Sequence, residues 1–117
     1  MMRLSAIRIP STDLQAAEIF YAEALGLEKI SGAPAMGYVQ FRTGGIDLIL
    51  EPEEAGDFEA GRFLGLSFRV DDIETAIGEL QASGAGITGI PEKQSWGGTL
   101  AHFLDPSGNV VTLVQPP

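Results

Sequence analysis

Leu64-Gly65-Leu66-Ser67-Phe68-Arg69-Val70-Asp71-Asp72-Ile73 alternates apolar and other residues, then stops at two carboxylates. Alternation with a period of two predicts a strand over Leu64 to Val70. Asp71 with Glu74 forms a capping pattern, and beyond it Ile73, Ala76, Ile77 and Leu80 recur at helical spacing until Gly84. The same signals stand near the start of the chain. Leu4 to Ile9 alternates, with Leu4, Ala6 and Arg8 on one face and Ser5, Ile7 and Ile9 on the other, and Pro10 ends the run. Thr12 with Gln15 makes a second capping box, followed by Leu14, Ala17, Tyr21 and Ala24 at helical spacing up to Gly26. Strand then helix therefore occurs twice, with helices expected near 13–25 and 72–83.

Each helix is followed by three short apolar runs. In the first half these are Leu27 to Ile30, Tyr38 to Phe41 and Ile46 to Leu50, separated by Ser31-Gly32 and Gly44-Gly45. In the second they are Gly86 to Ile90, Thr99 to Leu104 and Val110 to Gln115, with Asp105-Pro106-Ser107-Gly108-Asn109 as the last hairpin turn. The chain thus reads as one domain over 1–117. It is built from a βαβββ module at 1–52, an acidic linker at 53–62 and a second βαβββ module at 63–117. One helix covers only one face of a four-stranded sheet. The expected fold is therefore α+β, with the two modules forming a half-open, barrel-like cup, within one chain or across a dimer. A ferredoxin-like fold is the competing reading from periodicity and would need a β-α-β-β-α-β order.

Composition narrows the function. Hydrophobic residues make up 44% and charged residues 20%, as in an ordinary globular protein. Sixteen acidic against seven basic residues give a net charge of −9, which repels nucleic-acid backbones and anionic lipids, so neither is expected as a partner. No apolar run approaches the ~20 residues of a membrane span and no signal-peptide core follows Met1, so a cytoplasmic location is expected. With no cysteine, a disulfide framework and any thiolate metal site are ruled out.

Longer motifs carry a family resemblance over nearly the whole chain. Ile9-Pro10-Ser11-Thr12-Asp13-Leu14 is followed by Phe20-Tyr21 and Leu25-Gly26-Leu27. Phe68-Arg69-Val70-Asp71-Asp72 is followed by Trp96-Gly97-Gly98 and then by Phe103-Leu104-Asp105-Pro106-Ser107-Gly108-Asn109. In this order the sequence resembles the glyoxalase/bleomycin-resistance/extradiol-dioxygenase (vicinal oxygen chelate) superfamily, which implies paired βαβββ modules around a cup. The resemblance also implies where a catalytic metal would be held. The ligand position in the first strand of each module falls on Ala6 and Gly65, and the glutamate position of the final strand falls on Thr112. The nearest first-module carboxylate is Asp47. Alanine and glycine offer no ligand, and a lone hydroxyl is a poor one. With one histidine and no cysteine, a two-histidine facial triad cannot form within one subunit. Glu51, Glu53, Glu54 and Asp57 cluster, but without the spacing of a calcium loop. No cofactor and no metal are expected.

The candidate site residues are those whose parity turns them into the cup. His102 shares a strand face with Leu100 and Leu104, opposite Ala101 and Phe103, which should pack under the helix. Its imidazole can bond a ligand, act as acid or base, or satisfy its own neighbours. Phosphonate-processing members of the superfamily carry a substrate-facing tyrosine at this position. Arg69 lies four residues after Gly65, the spacing at which glutathione-using members bind a substrate carboxylate, there in the first module. Arg8 lies two after Ala6. Either arginine can clamp an anion or pair with Asp47 or Glu51. Trp96 stands at the rim, able to stack on a planar or cationic ligand or to cap the core. Tyr38 and Phe41 fall on opposite faces, so at most one lines the cup.

Two functions follow as expectations. The first is a metal-free homodimer that binds a small molecule, as bleomycin-resistance-type proteins do. The alternative is a glyoxalase-like enzyme of lyase, isomerase or dioxygenase type, metal-free with His102 as acid or base, or with metal ligands shared between chains. Emission spectroscopy on purified protein should find no stoichiometric zinc, iron or manganese. One such metal per subunit would contradict the reading of Ala6, Gly65 and Thr112.

Overall fold

A computed structural model describes all 117 residues, which divide into two compact units, 1–60 and 61–117. The first unit runs β1 (Ala6–Ser11), α1 (Leu14–Ile19), β2 (Glu28–Ala33), β3 (Tyr38–Arg42) and β4 (Asp47–Pro52). Its sheet has the order β1-β4-β3-β2, with β1 parallel to β4 and the other neighbours antiparallel. The first strand does not stop at Pro10 as expected but continues to Ser11. Proline lacks a donor, and β1 borders its sheet, where that loss is tolerated.

Both helices start one residue later than the capping patterns suggest. Asp13, rather than Thr12, caps α1 by accepting the Ala16 N–H at 3.1 Å, and Asp72, rather than Asp71, caps the second helix by accepting from Thr75 at 3.2 Å. The two caps share an extended backbone, φ −139° and −135°, and occupy equivalent places in the two modules. A carboxylate directly before the first helical residue reaches the N3 amide, which explains the shift. Hydrogen bonds from the Thr75 backbone and then its hydroxyl hold the Asp72 carboxyl below the usual carboxylate range. The first helix also changes pitch. Regular α-helix ends at Ile19 and one π-helical stretch, Phe20–Ala24, completes it.

Under α1 the sheet buries Ile9, Val39, Phe41, Leu48 and Leu50, which alternate along their strands. Tyr21 packs on Phe41 with ring centroids 6.3 Å apart. Tyr38 takes the other face, its hydroxyl 2.9 Å from Ser31 Oγ. The ring lies so close over Gly32 that a Cβ there would collide with the Tyr38 carbonyl oxygen and stand 2.8 Å from the ring.

The second unit runs β5 (Phe63–Arg69), α2 (Ile73–Ala82), β6 (Gly86–Ile87), β7 (Glu92–Lys93), β8 (Thr99–Leu104) and β9 (Val110–Gln115). The order is β5-β9-β8-β6, with β7 also paired to β8. The continuous strand expected over Gly86 to Ile90 is therefore two short ones. Gly89 has φ +94° and Pro91 cannot donate, so the chain leaves β8 after Ile87 and returns at Glu92. Neither sheet closes into a barrel. The helix-side core of this unit is Ile73, Ile77, Leu80, Ala101, Phe103, Val111 and Leu113.

The acidic stretch is exposed over 52–57 and carries local hydrogen bonds. Glu54 and Phe58 form a bridge, Glu53 accepts the Ala60 N–H at 3.1 Å and Glu59 accepts that of Gly56 at 2.9 Å. The 105–109 turn is stapled by buried polar groups. Asp105 accepts from the Ser107 and Asn109 amides and from the Asn109 side chain, whose oxygen accepts from Gly61. No helix is long and apolar enough to cross a membrane.

Phe103 is fully buried at the centre of the second core. Phe103→Ala should lower unfolding free energy by about 3–5 kcal/mol in a urea titration. A loss below about 1 kcal/mol would contradict this packing.

Candidate functional site

The face of the second sheet turned away from α2 follows from strand register. His102 pairs with Thr112 and Thr112 with Ser67, while Leu100 pairs with Val114 and Val114 with Arg69. Directly paired residues share a face. Ala101 and Phe103 point the other way and are buried, as parity requires. Glu92 joins the second row through its pairing with Leu100. Arg69's place on this face rests on Ser67 and Val114, not on counting from Gly65. Between Phe63 and Ser67 the register shifts, and Gly65, at φ +69°, lies inside that irregularity.

A cavity of about 470 Å³ opens on this face, lined by Thr88, Gly89, Ile90, Glu92, Gln94 and Leu100, with His102 at its wall. Its volume falls in the range of small-molecule sites. The excursion between β6 and β7 builds one side of it. Thr88 N–H donates to the His102 carbonyl at 3.1 Å, anchoring that excursion to the middle of β8.

His102 is half-buried and held from two directions. Its Nδ1 lies 2.9 Å from Thr112 Oγ1, and the ring of Phe63 meets it edge-on with centroids 5.7 Å apart. Thr112 is 5% exposed, so its hydroxyl is a fixed partner. The remaining nitrogen, Nε2, has no hydrogen bond to the protein and is the atom available to a ligand.

The other sequence-predicted residues are distributed as follows. Arg69 shares the face of His102, is exposed and makes no ion pair. Trp96 sits at the tip of the β7–β8 turn, closed by Gln94 N–H to Gly98 O at 2.7 Å, and is 55% exposed. Its ring folds over Gly98, where a Cβ would collide with it. Arg8 and Asp47 belong to the first unit, on the face of its sheet away from α1. Arg8 is ion-paired with Glu51, which raises its pKa, and lies 5.1 Å from the Phe58 ring centroid. Asp47 accepts from Gln40 at 2.9 Å. Thr88, Glu92 and Gln94 escaped the sequence reading because they lie on a strand interruption, for which Gly89 and Pro91 were the available signal.

The side chains do not fit a catalytic metal of the kind held by the superfamily that the sequence resembles. The ligand positions that the resemblance implies fall on Ala6, Gly65 and Thr112, and nowhere do three His, Cys, Asp or Glu side chains come together to hold an ion.

Residues 3–113 match the Glyoxalase/Bleomycin resistance protein/Dioxygenase superfamily. The chain belongs to this superfamily. It is 29% identical to TnmS3, an antibiotic binding protein from Streptomyces sp. CB03234, over 100% of this chain and 98% of that one, with a TM-score of 0.83. A superfamily member from Sphaerobacter thermophilus DSM 20745 is 28% identical over 98% of both chains, with a TM-score of 0.84. A lactoylglutathione lyase from Agrobacterium tumefaciens, 22% identical over 98% of this chain and 94% of that one, shares the fold at a TM-score of 0.77. The superfamily scaffold hosts both binding and catalysis, so the site has to decide between them.

Thr112→Val keeps the side-chain shape and removes the hydroxyl that holds Nδ1. The variant should lose about 1 kcal/mol of stability, and the Nδ1 resonance of the imidazole should move in nitrogen-15 NMR. Unchanged ring spectra would contradict the hydrogen bond.

Proposed function

We propose that this protein binds a small molecule against the uncovered face of its second sheet and releases it unchanged, as a homodimer. The observation that supports this most is the cavity ending on an imidazole whose Nδ1 is already held by Thr112. Such a ring presents its free nitrogen to a wall that mixes the apolar Ile90 and Leu100 with the polar Thr88, Glu92 and Gln94, and a few placed polar groups among apolar ones suit a small-molecule site. The similarity to TnmS3, named for antibiotic binding, favours the same class of ligand here. Trp96 and Arg69 are the residues we assign to the margin of the site. Arg8 and Asp47 serve the corresponding face of the first sheet. No resident metal is assigned.

Dimerisation is supported by the uncovered sheet faces and by sheet-edge strands such as β5, whose Phe63 is 63% exposed. Light scattering at micromolar concentration should give twice the chain mass of 12.4 kDa. A strictly monomeric species would remove this part of the proposal.

A second reading, general acid or base catalysis, is favoured by the same hydrogen bond, since fixing Nδ1 orients Nε2 for proton transfer. Binding is preferred because no hydrogen bond joins the His102 ring to the wall's hydroxyl, Thr88, or to its carboxylate, Glu92, as a catalytic pair would require.

Trp96 is the sole tryptophan, so its fluorescence can follow titration with a panel of aromatic antibiotics. His102→Ala should weaken binding of a panel hit by about 1–3 kcal/mol while leaving the circular dichroism spectrum unchanged. Unaltered affinity in the variant, or product formed from the hit, would overturn simple binding at this site.

A further inference from the structure

The uncovered face of the second sheet carries one cation and one carboxylate on its strands, and they stand at the two ends of one cross-strand row. That row reads Glu92, Leu100, Val114, Arg69 across β7, β8, β9 and β5. Three strand spacings separate its ends, roughly 14 Å between backbones. The two middle residues are apolar and only half-buried. In the adjacent row, His102 and Thr112 supply the polar midpoint.

Elsewhere the charged side chains on sheet faces are largely paired. Arg8 pairs with Glu51, Lys29 with Glu18 and Arg42 with Glu28. Arg69 and Glu92 form no such pair, and three strand spacings keep them from neutralising each other. Glu92 also borders the cavity, whose lining contains no Lys or Arg. A ligand carrying only an anion would meet Glu92 at the cavity, and one carrying only a cation would leave Arg69 unused. A molecule with both charges and an apolar body satisfies the whole row.

We propose that the ligand class is a zwitterion with an apolar middle, such as a short peptide with free termini. Its ammonium lies at Glu92, its carboxylate at Arg69 and its body over Leu100 and Val114 beside His102. This rests on the binding function proposed above and adds the orientation and chemistry of what is bound.

The dipeptide Leu-Phe is a suitable probe in four forms: free, N-acetylated, C-amidated and capped at both ends. Binding to the full-length protein is followed through the methyl resonances of Leu100 and Val114 and the His102 ring. The free form should bind most tightly, and each cap should weaken it by up to about fivefold, the usual reach of an exposed ion pair. Arg69→Gln should erase the difference between acid and amide, and Glu92→Gln that between amine and acetamide. Each variant should leave the other preference in place. If all four forms bind equally at these resonances, the zwitterion assignment is overturned while the site stands. If no form moves them, the assignment is likewise overturned, and the antibiotic titration separately decides whether the site binds anything.

Discussion

A single helix laid on a four-stranded sheet buries one of its faces and leaves the other to be satisfied by something else. The arrangement is forced by chain economy, because each module spends its residues on four or five strands and only one α-helix. In the second unit the helix side is closed by Phe103, Val111, Leu113 and the apolar face of α2, all nearly inaccessible. Leu100, Leu104, Val110 and Val114 alternate with them on the other face and remain half-exposed. The proposed site depends on that asymmetry. The polar groups present there, His102, Thr112, Arg69 and Glu92, stand on the one surface that the module cannot cover by itself.

Fold and site were legible in the sequence to different depths. Short apolar runs bounded by the Trp96-Gly97-Gly98 and Asp105 to Asn109 segments placed β8 and β9 at their observed bounds. Strand parity placed His102 opposite Ala101 and Phe103. The helix starts were displaced by a residue at Asp13 and Asp72, since two adjacent polar residues compete for the cap and only geometry selects the one that reaches the N3 amide. The division between β6 and β7 was missed altogether. Two-residue strands carry too few positions for a period to appear, and their existence depends on pairing to β8.

Contacts between distant residues were the least accessible. Nothing local says that Thr112, read from the resemblance as a vacated ligand position, would serve as the partner of His102 Nδ1, or that Phe63 would lie against the same ring. The irregularity around Gly65 shows the limit of counting along a strand. Positions before and after it do not share a simple parity, and the face of Arg69 became certain only through its register with Val114. Beside the cavity stands a hydroxyl-bound imidazole. On the proposal made here, selectivity comes from the charges at the edges of this face and the apolar residues between them.

The central claim is that a ligand occupies the uncovered face of the second sheet beside His102. A crystal structure of the protein with a bound antibiotic from the panel tests it most directly. The account predicts ligand density in the cavity walled by Thr88, Ile90 and Leu100, within hydrogen-bonding distance of His102 Nε2. Density confined to the helix-covered side of either sheet, or to the acidic turn at 53–60, with this cavity empty, would contradict it.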